Sequence, residues 1–85
     1  MGDVTNEDRA DWALIALQAF ADRTNQSGGE PLDRTDIDNI DEILGDLLGD
    51  LRHLVGPEIY GECCARGSAY YHEELEEAKW ETRNG

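Results

Sequence analysis

Positively charged residues are scarce in this sequence of 85 residues. Seven Lys and Arg stand against twenty Asp and Glu, which gives a formal net charge of −13 and a pI near 4.2. Contacts with phosphate groups need clustered cations, so we exclude direct binding of nucleic acid and of anionic membrane surfaces. The sequence also lacks an apolar run of about 18 residues and the basic and apolar regions of a signal peptide. We therefore expect a soluble, cytoplasmic protein.

Cysteine occurs only as the adjacent pair Cys63 and Cys64. A disulfide between neighbours closes almost no loop and therefore stabilises very little. Zinc ligands are spaced like CxxC so that both sulfur atoms converge, whereas neighbours on a helix point about 100° apart. We exclude a disulfide framework and a cysteine zinc site, and we expect reduced thiols, one of which packs in the core.

Catalytic motifs are absent as well: the sequence contains no P-loop, dinucleotide fingerprint, nucleophile elbow or HExxH. Serine occurs only at Ser27 and Ser68, without a paired base nearby in the sequence. His53 and His72 could complete a metal site or act as acid and base, but each borders an apolar stripe, where histidine more often forms local hydrogen bonds. We expect no enzyme, no catalytic residue, no metal ligand and no cofactor.

Three segments with helical spacing of apolar residues are separated by turn residues, which predicts one all-α domain of three helices over residues 1–85. The first segment covers residues 5–22, with Thr5 and Asp8 at the positions of a capping box. A Gly-rich connector follows at residues 24–34. The apolar stripe of the first segment is wider than one neighbouring helix would cover: Trp12, Ala13, Leu14, Ile15, Ala16, Leu17 and Phe20.

The second segment, residues 36–55, has the most regular pattern, and Thr35 is its predicted cap. Its apolar residues are Ile37, Ile40, Leu44, Leu47, Leu48, Leu51, Leu54 and Val55. Gly56 and Pro57 end this helix and begin a third, from residue 57 to residue 80 or beyond. So short a link predicts an antiparallel hairpin of helices two and three. We expect residues 1–4 to be flexible and residues 81–85 to be frayed.

Glycine interrupts the second helix at Gly45 and Gly49, where each residue costs about 1 kcal/mol relative to Ala. This cost indicates the close approach of another helix, either within the fold or across a homodimer, and Gly67 would serve the same purpose on the third helix. Aromatic side chains also exceed what one small core needs, so we expect some of them to anchor a partner. The four candidates are Trp12, Tyr70, Tyr71 and Trp80.

Negative charge is densest around the second helix, because residues 29–56 hold eight acidic and two basic residues. Glu42, Asp46 and Asp50 follow one another every four residues and therefore lie on one side of the helix. Opposite a stripe of Leu and Ile, such a row is typical of a solvated polar face. The alternative is a face that binds a metal ion, because carboxylates one turn apart can share a hard cation.

Residues 41–74 read DEILGDLLGDLRHLVGPEIYGECCARGSAYYHEE. The pattern DLLxDLxHL, followed by a helix that ends in Tyr-His-x-Glu, resembles a class of small helical proteins found in actinobacterial and phage genomes. Gly56 and Pro57 stand where that class has a longer polar link, and Arg52 replaces an apolar residue. The resemblance implies the helix hairpin and an origin in a mobile element, and it covers the last two helices.

Small, strongly acidic phage proteins often inhibit host nucleic-acid machinery by placing carboxylates where a duplex has phosphates. In size, charge and helical content the chain is similar to an anti-CRISPR protein or another DNA mimic. Our first hypothesis is an inhibitor that binds a basic surface of a nucleic-acid-binding protein in the host cytoplasm. Its predicted partner-binding residues are Asp38, Asp41, Glu42, Asp46, Asp50, Glu73, Glu76 and Glu77.

Two other functions are compatible with the sequence. All-α nucleotide pyrophosphohydrolases use paired acidic motifs on two helices, and Glu42 and Asp46 could pair with Glu73 and Glu76 around a metal ion. The other alternative is a salt-adapted structural protein whose acidic residues only keep it soluble.

Overall fold

The computed structural model describes residues 3–84, with side chains described through residue 80, and these residues form three α-helices and no strand. Helix α1 spans Asn6–Arg23, α2 spans Ile37–Val55 and α3 spans Pro57–Asn84. The predicted all-α class with three helices is confirmed. The expected flexible and frayed ends, residues 1–4 and 81–85, lie partly outside the described residues and stay predictions.

The first two helices begin at side-chain caps. At α1 the hydroxyl of Thr5 accepts from the backbone N–H of Asp8, and the Asp8 carboxylate accepts from that of Thr5, both at 3.0 Å, as the capping-box pattern predicts. At α2 the prediction of Thr35 as cap is wrong. Asp36 Oδ1 accepts from the N–H of Asn39 at 3.3 Å, while the hydroxyl and N–H of Thr35 both donate to Asp33.

The connector between α1 and α2 runs back along α1. Gln18 holds it at two points, accepting from the N–H of Leu32 at 2.7 Å and donating to the carbonyl of Glu30 at 3.1 Å. Further along, the Arg34 guanidinium contacts Asp11 at 2.8 Å and Glu7 at 3.0 Å. Because the connector returns to the first turns of α1, α2 starts beside the N-terminal half of that helix.

The core is small and lies between α1, the connector and α2. Leu17 and Ala21 of α1 and Ile43 of α2 are buried. Four partly buried apolar side chains pack around them: Phe20, Leu32, Ile40 and Leu47. No residue of α3 belongs to this core, so the third helix is held by other contacts.

Helix α3 is attached near its two ends. It contacts α2 more than α1, and the two helices meet at Gly56, whose φ of 87° lies in the region that favours glycine. At the far end, Glu74 forms an ion pair with Arg9 at 3.0 Å, and its carbonyl accepts from the Asn6 amide at 3.4 Å. Between these points, residues 61–73 are all exposed. The α2–α3 hairpin is therefore open along its middle.

No helix within residues 3–84 has a stretch that is both long and apolar enough to cross a lipid bilayer.

Candidate functional site

The acidic side of α2 is the strongest charged feature of the described surface. Its five carboxylates are all exposed: Asp38, Asp41, Glu42, Asp46 and Asp50. They spread over about half of the helix circumference, and Asp50 projects about 20° from the buried Ile43. The three predicted carboxylates of α3 are exposed as well: Glu73, Glu76 and Glu77. Each of the eight predicted residues is therefore accessible to a partner.

The carboxylates of α2 are closely spaced along the helix. From Asp38 to Asp50 the helix rises about 18 Å, so five charges have a mean axial separation of about 4.5 Å. One strand of B-DNA has a phosphate every 3.4 Å or so of helix axis. The acidic side of α2 thus has roughly three quarters of the linear charge density of a single DNA strand.

The ion pairs in the part of the chain that the structure describes lie elsewhere and do not involve the carboxylates on this side of α2. Among the side chains described, ion pairs join Arg9 to Glu74, Arg34 to Glu7 and Asp11, and Lys79 to Glu76. The last of these, at 3.8 Å, is the one pair that involves a predicted binding residue. The α2 carboxylates have no ion-pair partner in the described part of the chain, so their charge is available to an external cation.

Gly45 and Gly49 open a hollow beside these carboxylates. The expected close approach of another helix within the fold is wrong, because a Cβ added at either glycine, or at Gly67, would meet nothing within 4 Å. The hollow has a volume of about 400 Å³. One wall comes from α2 and the other from the end of α1 and the connector, in the order Asp46, Asp50, His53, Phe20, Thr24 and Gln26.

Asp46 and Asp50 of α2 and the acidic group of α3 lie near opposite ends of α1. Asp46 and Asp50 share the hollow with Phe20 and Thr24 at the end of α1, whereas Glu77 lines a second hollow with Thr5 at its start. Eighteen residues of helix separate these ends by about 27 Å. The structure therefore separates Asp46 and Asp50 from the predicted binding residues of α3.

This division bears on the metal-dependent alternative, which needs Glu42 and Asp46 to converge with Glu73 and Glu76. Among the residues that the structure describes, no group of three or more His, Cys, Asp or Glu side chains could hold a metal ion. The spacing within each helix fits paired acidic motifs, but the described side chains of the two motifs do not form such a group.

The cysteines and histidines lie at the surface. The expectation that one thiol packs in the core is wrong, because Cys63 and Cys64 are both exposed on the open part of α3. A side-chain hydrogen bond with Cys64 raises the pKa of Tyr60 above its ordinary value of 10.0.

The two histidines have different surroundings. His53 borders the hollow at Gly49. The ring of His72 packs edge-on against the ring of Tyr71, with the two ring centroids 5.6 Å apart. Neither histidine has a partner that suggests acid or base chemistry.

Sequence reasoning missed an apolar groove on the side of α2 opposite its carboxylates. The groove has a volume of about 410 Å³ and lies between α1 and α2. Its lining includes Ala10, Ala13, Leu14, Ile40, Leu44 and Leu47. The signal was present in the wide stripes of both helices, which exceed what a single contact between them can bury.

No protein-family model, curated protein or solved structure matches this chain. The similarity to helical proteins of actinobacteria and phages stays a prediction, and the geometry described above carries the functional argument.

Proposed function

We propose that this protein is an acidic inhibitor that binds a basic surface of a nucleic-acid-binding protein and competes there with nucleic acid. The observation that carries the proposal is the row of exposed carboxylates on α2, which has no cation partner among the described residues. A groove that binds phosphates is lined with Arg and Lys, and such a groove attracts an ordered row of carboxylates in the same way.

The hollow at Gly45 and Gly49 gives this interaction a specific contact point. With no side chain on either glycine, an Arg or Lys of the partner can reach Asp46 and Asp50 from the side of α1. Arginine bound in such a position forms charge-assisted hydrogen bonds with carboxylates. We infer that Asp46 and Asp50 contribute more to affinity than acids elsewhere on the surface.

The biological setting in this proposal is a phage or another mobile element, with a defence protein of the host as the target, as for an anti-CRISPR protein. The charge supports a fast association with such a target, because attraction between a protein of net charge −13 and a basic groove steers the encounter.

The proposal is tested by capture from an actinobacterial host lysate, with the whole chain immobilised at low and at high salt. We expect a basic protein that is captured at low salt, released at high salt and displaced by double-stranded DNA. The variant Asp46→Asn/Asp50→Asn should lose most of the capture. The matched control Glu58→Gln/Glu62→Gln removes the same amount of charge from exposed positions on α3. This control should still capture the basic protein.

Capture that survives high salt, or that both variants weaken equally, would contradict the proposed site. A magnesium or manganese titration in the same preparations separates the enzymatic alternative, because a metal site would raise the melting temperature of the wild-type chain.

A further inference from the structure

The accessible surface of this chain is too large for a compact monomer of its mass. It measures 6872 Å², whereas a folded monomer of 9.5 kDa exposes about 5,000 Å². The radius of gyration is 15.3 Å, against about 12 Å for a compact domain of this length. The excess is about 1,800 Å² by the same scaling, and thirteen large apolar side chains are exposed among the described residues.

On α2 the uncovered apolar surface forms a seam, which we define as Leu44, Leu48, Leu51 and Val55. The four residues are spaced i, i+4, i+7 and i+11, so they lie along one side of the helix. All four are exposed, with Leu48 at 38%. The seam continues the groove between α1 and α2, and its centre is turned about 110° from the side of the helix that carries Gly45 and Gly49.

On α3 the uncovered surface is an apolar face, which we define as Cys63, Cys64, Gly67, Tyr70 and Tyr71. These residues follow the spacing i, i+1, i+4, i+7 and i+8, and every one is exposed. The face lies on the same side of α3 as Tyr60 and Glu74, which are partly buried at the two ends of the open stretch. It therefore looks into the gap of the open hairpin.

We propose that a second copy of this chain covers the α2 seam and the α3 face, so that two open hairpins close against each other. The excess surface of the whole molecule is large enough to supply such an interface, because obligate homodimers bury about 1,000 to 2,500 Å² on each partner. The two surfaces are also complementary, since the aliphatic seam of one copy can pack against the tyrosines of the other.

The position of the charged residues permits this association, although each chain has a net charge of −13. The charged residue closest to the α3 face is Glu74, one turn beyond Tyr70 on the same side of the helix, and its carboxylate is paired with Arg9 of the same chain at 3.0 Å. Glu62 and Arg66 project about 100° or more from the centre of the face. Neither defined surface includes Asp, Glu, Lys or Arg, so the seam and the face themselves bring no such side chain between the copies.

On α2, Asp46 and Asp50 project about 130° or more from the centre of the seam, whereas Asp41, three residues before Leu44, lies at its border. The dimer thus leaves Asp46 and Asp50 free for a basic partner.

The experiment measures the mass of the whole chain by sedimentation equilibrium across a concentration series. We expect a species of twice 9.5 kDa at micromolar concentration. Tyr70→Glu places a charge in the α3 face and should raise the dissociation constant at least about tenfold, as loss of a central aromatic residue does in other interfaces. Its matched control, Ala69→Glu, adds the same charge at the neighbouring position on the polar side of α3 and should leave the dimer intact.

Circular dichroism of the same samples measures helicity, which shows whether the separated monomer unfolds. If it unfolds, Tyr70→Glu loses helicity, and the wild-type chain loses helicity on dilution in step with its mass. A wild-type chain that is monomeric at every concentration with unchanged helicity overturns the proposal in favour of a different occupant. Equal effects of the two variants overturn the placement of the interface on this face.

Discussion

Ile43 is the residue on which the packing of α1 and α2 depends most. It is 1% exposed and is the largest fully buried side chain among the described residues. Its contacts include Leu17 and Ala21 in a core that has only these three buried members. In so small a core there are few other side chains to replace a lost contact.

We therefore expect Ile43→Ala to lower the free energy of unfolding by about 2 to 5 kcal/mol. A chain of this length has a total stability of roughly 4 to 13 kcal/mol, so the variant should lose a large fraction of its stability. Urea denaturation followed by circular dichroism measures the change. The control Ile15→Ala alters an exposed residue of α1 and should shift the free energy by less than about 0.5 kcal/mol. Comparable losses in the two variants would show that Ile43 does not hold the core.

Asp22 fixes the turn after α1 through its charge. The Ser27 hydroxyl donates to its carboxylate at 2.5 Å and the Gln18 amide donates at 3.0 Å, and these two bonds lower the pKa of Asp22 below its ordinary value of 3.8. Asp33 has a lowered pKa for a similar reason, because the hydroxyl and N–H of Thr35 donate to it. Both carboxylates are thus stabilised in their charged forms by the native connector.

A depressed folded pKa contributes stability above the unfolded pKa, and this contribution is lost as the pH falls through the folded pKa. We expect Asp22→Asn, which resembles the protonated acid, to be less stable than the wild-type chain at pH 7. The difference should close once the pH falls below the folded pKa of Asp22. Urea denaturation midpoints of the two proteins, measured at pH 7 and at a pH below the folded pKa of Asp22, test this. The NMR titration of the Asp22 carboxyl should have its midpoint below pH 3.8. A midpoint at or above that value would contradict the assignment.

At the scale of whole helices, α2 could be predicted almost completely because its apolar residues follow the helical period from Ile37 to Val55. The capping box at Thr5 could be predicted for the same local reason. The exposure of Cys63 and the empty space at Gly45 could not, because both depend on where α3 lies relative to α2. Periodicity shows that a helix has an apolar side, but it does not show whether anything in the same chain covers that side.

The empty space at the two α2 glycines leads to a prediction about helix stability. Alanine is favoured over glycine by about 1 kcal/mol in a helix interior, and the added Cβ meets nothing within 4 Å at Gly45 or Gly49. We expect Gly45→Ala and Gly49→Ala each to raise the free energy of unfolding by about 1 kcal/mol, measured by urea denaturation.

The same two variants distinguish the positions of possible interfaces. If copies associated through Gly45 and Gly49, a methyl group at either position would weaken the dimer. An interface on the α2 seam predicts an unchanged dissociation constant, because neither glycine belongs to the seam and their side of the helix is turned about 110° from its centre. A destabilised chain, or a dimer weakened by the glycine variants alone, would contradict this arrangement.

At the scale of the molecule, charge and apolar surface are separated on α2. One side of α2 presents unpaired carboxylates and the other presents the uncovered seam, and α3 adds an apolar face without Asp, Glu, Lys or Arg. The net charge of −13 acts on the two proposed interactions with opposite signs. It attracts a basic partner to the carboxylates, and it opposes the approach of a second copy through repulsion across the whole molecule.

Salt should therefore change the two interactions in opposite directions. The Debye length falls from about 10 Å at 0.1 M to about 3 Å at 1 M, which screens repulsion between copies and attraction to a basic groove alike. We expect the dimer dissociation constant to fall as NaCl rises through this range, while capture of a basic partner weakens. Sedimentation equilibrium and the capture experiment, run in the same buffers, measure both. If the dimer weakened with salt, ion pairs rather than the apolar seam and face would hold it together. If both interactions were insensitive to salt, the charge would contribute to neither, and its remaining role would be to keep the chain soluble.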